Sequence, residues 1–123
     1  MRVVLSNTSS KAIYEQIADQ VKDSIMKGEL SPGDALPSIR ALARDLRISV
    51  ITTKRAYEEL EKEKYIETIQ GKGSFIAAQD NELMREKRLN IIEEKLMDAI
   101  MEARILGLEL IEINEILKVL WEE

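Results

Sequence analysis

Leu36 to Ile76 reads LPSIRALARDLRISVITTKRAYEELEKEKYIETIQGKGSFI, and the order of its signals decides the fold. Pro37 bars a helix from continuing through it, and Ser38 just after it is a good N-cap. A short helix over residues 39–46 is therefore predicted, with Ile39, Leu42, Ala43 and Leu46 facing inward. Arg47 and Ile48 break that run. Ser49 can cap a third helix reaching about Lys64, with Thr53, Ala56 and Leu60 on one face. After Lys64 the period shortens: Tyr65 to Ile69 and Ser74 to Ala77 are β-rich, and Gln70-Gly71-Lys72-Gly73 lies between them. That pattern predicts a two-stranded hairpin with a glycine-rich tip.

Upstream, Ile13, Tyr14, Ile17, Ala18, Val21, Ile25 and Met26 recur at helical spacing, with Ser10 as the expected cap and Gly28 as the stop. Ser31-Pro32-Gly33-Asp34 then turns the chain sharply, because proline sets φ and glycine accepts a positive one. Downstream, residues 78–81 form a joint in which Asp80 or Asn81 caps the next element. From Glu82 to about Leu106, the residues Leu89, Ile92, Leu96, Ala99, Ala103 and Leu106 follow three- and four-residue steps, the spacing of a short coiled-coil seam. Met97, Ile100, Met101 and Ile105 widen that stripe. Gly107 interrupts it, and a last helix carries Ile113, Ile116, Leu117, Leu120 and Trp121.

The expected fold class is mainly α with a small β-hairpin: a winged helix-turn-helix domain followed by a two-helix C-terminal hairpin. The domain boundary is placed between residues 78 and 79.

Composition excludes several functions. The 123 residues contain no cysteine and no histidine, which removes disulfides, Cys/His zinc sites, thiol nucleophiles and imidazole acid–base chemistry. No residue set supports catalysis, and no cofactor is expected. The first ten residues lack the pattern of a secretory signal, and no apolar run reaches membrane-spanning length. The expected location is cytoplasmic, with no membrane partner.

The net charge of −5 conceals a division. Residues 1–78 hold 12 Lys/Arg against 11 Asp/Glu, whereas residues 79–123 hold 6 against 12. Between positions 40 and 55, Arg40, Arg44, Arg47, Lys54 and Arg55 face a single acid, Asp45. A basic segment inside an acidic chain is suited to a phosphate backbone.

A helix–turn–helix followed by a hairpin gives that charge a use. A helix of about 10–12 Å diameter fits the major groove, while the helix before it sets the angle of entry. Ser49, Val50, Ile51, Thr52 and Lys54 occupy the leading turn, where free N–H groups point outward. Arg40 and Arg44 lie one turn apart on the shorter helix, on the phosphate side. Lys72, at the hairpin tip, can reach an adjacent minor groove or phosphate, and Gly71 and Gly73 let the backbone approach closely.

Leu36-Pro37-Ser38, the Arg at 40, the Ala56-Tyr57-Glu58-Glu59-Leu60 helix end and the Gly71-Lys72-Gly73-Ser74-Phe75 wing stand in an order that closely resembles the DNA-binding domain of the GntR family of bacterial regulators. The stretch YEQIADQVKDSIMKGELSPGD from Tyr14 resembles the same domain's first helix and turn. The resemblance covers about half the chain. It implies DNA contacts at Arg40, Ser49, Thr52, Lys54, Gly71 and Lys72, with Ser38, Arg44 and Arg55 as lesser contributors. Val50 departs from the arginine that many members carry there, and apolar contact with a thymine methyl is the chemistry open to it.

The short C-terminal part resembles the YtrA-like subfamily, whose terminal helices serve in dimerisation. A two-helix hairpin cannot bury a wide apolar stripe on itself, so a second copy is the natural partner. The expected interface comprises Leu89, Ile92, Leu96, Ala99, Ala103, Leu117, Leu120 and Trp121. The function expected from both readings is a sequence-specific transcriptional regulator, acting as a repressor, that binds a pseudo-palindrome in double-stranded DNA as a homodimer. The tail is too small for a folded sensor domain, so an unidentified small-molecule effector would have to bind between subunits.

Several features have simpler explanations than a ligand site. The glycine-rich tip lacks the spacing and strand–helix context of a nucleotide-binding loop. The methionines of the long helix suit a packing role better than a ligand box. Glu93, Glu94, Asp98 and Glu102 are best explained as a solvated helix face rather than a hard-cation site.

Overall fold

The computed structural model describes all 123 residues and divides the chain into two units, Met1–Asn81 and Glu82–Glu123. The first holds α1 (Ile13–Met26), α2 (Ile39–Leu46), α3 (Val50–Lys62), β1 (Ile66–Ile69) and β2 (Gly73–Ile76). The second holds α4 (Asn81–Ile105), whose first residue belongs to the first unit, and α5 (Leu110–Trp121).

Capping sets the helix starts. The Ser38 Oγ accepts the Ala41 N–H at 3.1 Å, and the Ser49 Oγ accepts the Thr52 N–H at 3.0 Å, so α2 and α3 begin where serine satisfies an orphan donor. At α1 the expectation needs correction. Ala12, not Ser10, is the capping residue, and its side chain makes no cap bond. The neighbouring polar work falls to Gln16, whose amide donates to the carbonyls of Ser6 and Lys11, both at 3.0 Å, and accepts the Ser6 N–H at 2.8 Å. Gln20 pairs in the same two-way manner with the peptide groups of Val4, at 2.9 and 2.6 Å. Two glutamines one turn apart thus hold the extended N-terminal segment against α1.

Four helices end alike. In each, a residue with positive φ lets the next N–H reach back to a carbonyl five residues earlier. Gly28 and Gly107 serve α1 and α4, as glycine readily does; Arg47 and Lys64 serve α2 and α3 at φ 57° and 65°. The closing bonds are Glu29 N–H to Ser24 O (2.9 Å), Ile48 to Ala43 (3.0 Å), Tyr65 to Leu60 (2.9 Å) and Leu108 to Ala103 (2.9 Å).

The core of the first unit lies where α1 and α2 pack on α3, closed by β1. Ile17, Val21, Leu60 and Ile66 are its largest fully buried aliphatic side chains, each contributing about 1.5–3 kcal/mol by leaving water. Thr53 is buried among them without penalty because its hydroxyl donates to the Ser49 carbonyl at 3.1 Å. The buried Tyr57 hydroxyl donates to the Pro37 carbonyl at 2.7 Å, which ties α3 to the approach of α2.

The hairpin is antiparallel, with Ile66 opposite Ile76 and Ile69 opposite Gly73. A third segment joins it. Ala35 bridges Phe75, the Leu36 N–H donates to Ser74 O at 2.9 Å, and the Ile76 N–H donates to Asp34 O at 2.9 Å. The turn before α2 is thereby fastened to the wing.

In the second unit, Ala103 is the one buried residue, at 6% exposure. Leu89, Ile92, Leu96, Leu117, Leu120 and Trp121 are all exposed, Trp121 at 85%. No helix is long and apolar enough to cross a membrane.

Candidate nucleic-acid interface

The leading turn of α3 is built from its cap outward. Ser49 accepts the Thr52 N–H and donates its own proton to the Thr52 Oγ1 at 2.8 Å. The Thr53 N–H goes to the Ser49 carbonyl at 3.2 Å. These bonds leave the N–H groups of Val50 and Ile51 without an acceptor inside the chain, and the Thr52 hydroxyl keeps its proton for an outside oxygen. Partly positive N–H groups at a helix start, beside a hydroxyl donor, are matched to an anionic oxygen.

The cations of α2, α3 and the wing differ in how they are paired. Arg40, Arg44, Arg47 and Lys72 are exposed and have no carboxylate within salt-bridge distance. Lys54 is only loosely paired, 3.9 Å from Glu58 across one exposed turn, an arrangement worth little in water. Elsewhere in the unit three lysines are closely paired, Lys11 with Asp19 at 2.6 Å, Lys22 with Glu63 at 2.5 Å and Lys27 with Asp23 at 2.8 Å, while Arg2, Lys62 and Lys64 are exposed without a salt bridge. Uncompensated positive charge thus includes α2, the turn after it and the wing tip.

Arg55 is placed differently from the others. Its guanidinium lies over the Tyr14 ring, 3.9 Å from the centroid, so it helps hold α1 against α3. Ser38 remains exposed at the start of α2, with its Oγ engaged by Ala41 and its proton free to donate. At the wing, Gly71 has φ 79°, and no atom lies near where a Cβ would stand. Glycine is needed there for the turn rather than for space. The Lys72 N–H closes that turn on Ile69 O at 2.9 Å, which leaves the Lys72 side chain outward.

Sequence reasoning left three residues out of its contact set. Arg47, read there only as part of the basic segment, sits in the turn between α2 and α3 as a further unpaired cation. Tyr57 fixes the α2–α3 geometry through Pro37, which residue spacing cannot reveal. Ile51 was placed on the leading turn without a role, yet it is 81% exposed. A cleft of about 530 Å³ beside the wing, lined by Glu61, Lys64, Ile66, Thr68, Ile69 and Ala77 among others, contains no unpartnered buried polar side chain that would point to a ligand.

Comparison with known proteins agrees with this geometry. The family model described as bacterial regulatory proteins, gntR family, matches residues 13–76. The HTH-type transcriptional repressor YtrA of Bacillus subtilis (strain 168) is 40% identical over 110 residues, covering 89% of this chain and 85% of that protein. The uncharacterized HTH-type transcriptional regulator YhcF of the same organism is 38% identical, covering 93% of each. Among solved structures, a transcriptional regulator from Oenococcus oeni matches with a TM-score of 0.78 at 30% identity, covering 96% of this chain and 98% of that one. YtrA from Sulfolobus acidocaldarius, a GntR-family transcription factor, matches with a TM-score of 0.61 at 37% identity, covering 77% and 97%. With the winged helix, its unpaired cations and these relatives together, the chain belongs to the GntR family of DNA-binding bacterial transcription regulators.

Proposed function

We propose that this regulator is a repressor that binds a pseudo-palindromic operator as a homodimer, with α3 in the major groove and the wing on the adjacent minor groove or backbone. The observation that carries the reading is the set of unpaired cations on α2, the turn after it and the wing, Arg40, Arg44, Arg47 and Lys72, together with a helix start whose N–H groups are free. Phosphate contacts by Arg40, Arg44, Lys72, Ser38 and Thr52 set the register, while Val50 and Lys54 on α3 reach base edges. Ser49 acts through its cap, which aims that turn. Gly71 brings the wing backbone close to the duplex. Arg55 contributes by orienting α1 behind α3.

Repression is supported by likeness to the YtrA repressor of Bacillus subtilis. Dimerisation through residues 79–123, with residues 1–78 as the DNA-binding domain, is supported by the exposed apolar residues of α4 and α5. Water-exposed side chains of that size gain about 1.5–3 kcal/mol each when a partner covers them. Of the seam residues, Ala103 packs within its own chain and sets the close of α4, while the others are available to a second copy. An effector of unspecified chemistry would act between the two copies by favouring one spacing of their DNA-binding domains.

The test is selection of bound duplexes from a random pool, then anisotropy titration of the winner at several salt concentrations. An inverted repeat, with affinity falling steeply as salt rises, is the expected outcome. Arg40→Ala and Lys54→Ala are each expected to weaken binding about 5- to 150-fold, the effect of losing about 1–3 kcal/mol, with unchanged helical circular dichroism. Absence of any enriched sequence, or variants that bind like the parent, would overturn the reading.

A further inference from the structure

The recognition helix opens with two side chains that its role in charge pairing leaves unexplained. Val50 and Ile51 are its first two residues, 47% and 81% exposed. Ile51 is the most exposed large apolar residue of the first unit. Neither packs in the core, which takes Thr53, Ala56, Tyr57 and Leu60 from this helix. Their flank is cationic: Arg47 precedes them, Lys54 follows one turn later, and Arg40 and Arg44 stand on α2. In a DNA-binding regulator the partner is a duplex, which supplies phosphates for the cations and one apolar group on its base edges. That group is the C5-methyl of thymine, exposed in the major groove.

We infer that Val50 and Ile51 are specificity-determining residues, each packing on a thymine methyl, so that every half-site carries two thymines that are read through their methyl groups. The inference rests on the DNA-binding reading above and deepens it. Successive residues of a helix point about 100° apart, so the two side chains address different base steps rather than one. The free N–H groups of the same turn hold the helix end at the backbone, which brings these short side chains within reach of the groove floor. Lys54, longer and one turn on, remains able to read a guanine edge.

Exchanging thymine for deoxyuridine removes that methyl alone and keeps the O4 acceptor and the base pair. The experiment makes this exchange one position at a time in the selected operator and measures binding of the full chain by anisotropy. At two thymines per half-site the parent is expected to lose about fourfold in affinity, the effect of one buried methyl. Ile51→Ala is expected to be indifferent to the exchange at one of these positions and Val50→Ala at the other. Both residues are exposed, so circular dichroism should match the parent. If no exchange changes affinity while Arg40→Ala and Lys54→Ala still weaken binding, the methyl assignment fails and the DNA reading stands. If the losses persist unchanged in both alanine variants, other residues read the methyls and the assignment is overturned. If no duplex is enriched at all, both readings fall together.

Discussion

Tyr57 shows what a single residue contributes behind the interface. Burial pushes its phenol from the usual 10.0 up to about 12, because the anion is poorly accommodated where the neutral group is held. The neutral phenol is the form that the fold accepts. Its contribution is therefore complete below about pH 10 and is lost as pH rises through about 12, a loss of about 2–3 kcal/mol. Denaturant melts across that range, followed by circular dichroism, should show stability falling together with phenolate absorbance. Tyr57→Phe should lose less over the same range, and at neutral pH should cost about 1 kcal/mol as the Pro37 carbonyl loses its donor. Equal alkaline losses in both proteins would place the titration elsewhere.

The residue scale also separates what spacing can and cannot reveal. Ser38 and Ser49 were legible as caps because residue type and position agree with the helix starts they serve. Arg55 was legible as a cation of α3 but not as a neighbour of Tyr14, since that contact joins residues 41 positions apart in the chain.

Among the elements, the two left-handed helix ends carry a testable cost. Arg47 and Lys64 adopt positive φ, where an L side chain crowds the backbone by about 1–2 kcal/mol. Glycine removes that crowding but loses more entropy on folding, about 0.5–1 kcal/mol. Lys64→Gly should therefore raise stability by up to about 1 kcal/mol, visible as a higher urea midpoint, with operator affinity unchanged. Arg47→Gly should stabilise similarly yet weaken operator binding, because it also deletes an unpaired cation. A Lys64→Gly protein of markedly lower stability would mean that the lysine side chain contributes packing that outweighs the strain. Glycine at 28 and 107 made the ends of α1 and α4 readable in advance. With Arg and Lys at the other two, a break was legible after Leu46 from lost periodicity, whereas α3 was extended to about Lys64 and ends at Lys62.

For the whole molecule, the proposed dimer makes the second unit the part that brings two copies of α3 to one operator. Its apolar residues are costly to leave in water, and the side chains of α4 and α5 provide little mutual cover. Leu96→Glu places a charge in the proposed seam and should yield monomers by sedimentation, with operator affinity reduced because the second half-site no longer binds in concert. A Leu96→Glu protein that remains dimeric would move the interface off this face. The N-terminal segment is a control for such variants. Gln16 and Gln20 hold it to α1 inside the first unit, so its hydrogen bonds should persist whatever the oligomeric state.

By itself the sequence determined the element order, the serine caps, the wing and the basic segment, because each is written in residue type and in spacings of a few positions. Periods of two and of 3.6 residues are local properties, and so are the preferences of serine, proline and glycine. Only the tertiary structure decided which cations remain unpaired, that Arg55 is held by an aromatic ring, that Tyr57 anchors the approach of α2, and that Ala35 joins the wing as a third segment. It also decided that Ala103 is buried while Leu89, Ile92, Leu96, Ala99 and Leu106 of the same seam are exposed. Those outcomes depend on which distant surfaces meet and on which carboxylates come within reach of a given cation, and residue spacing carries no record of either.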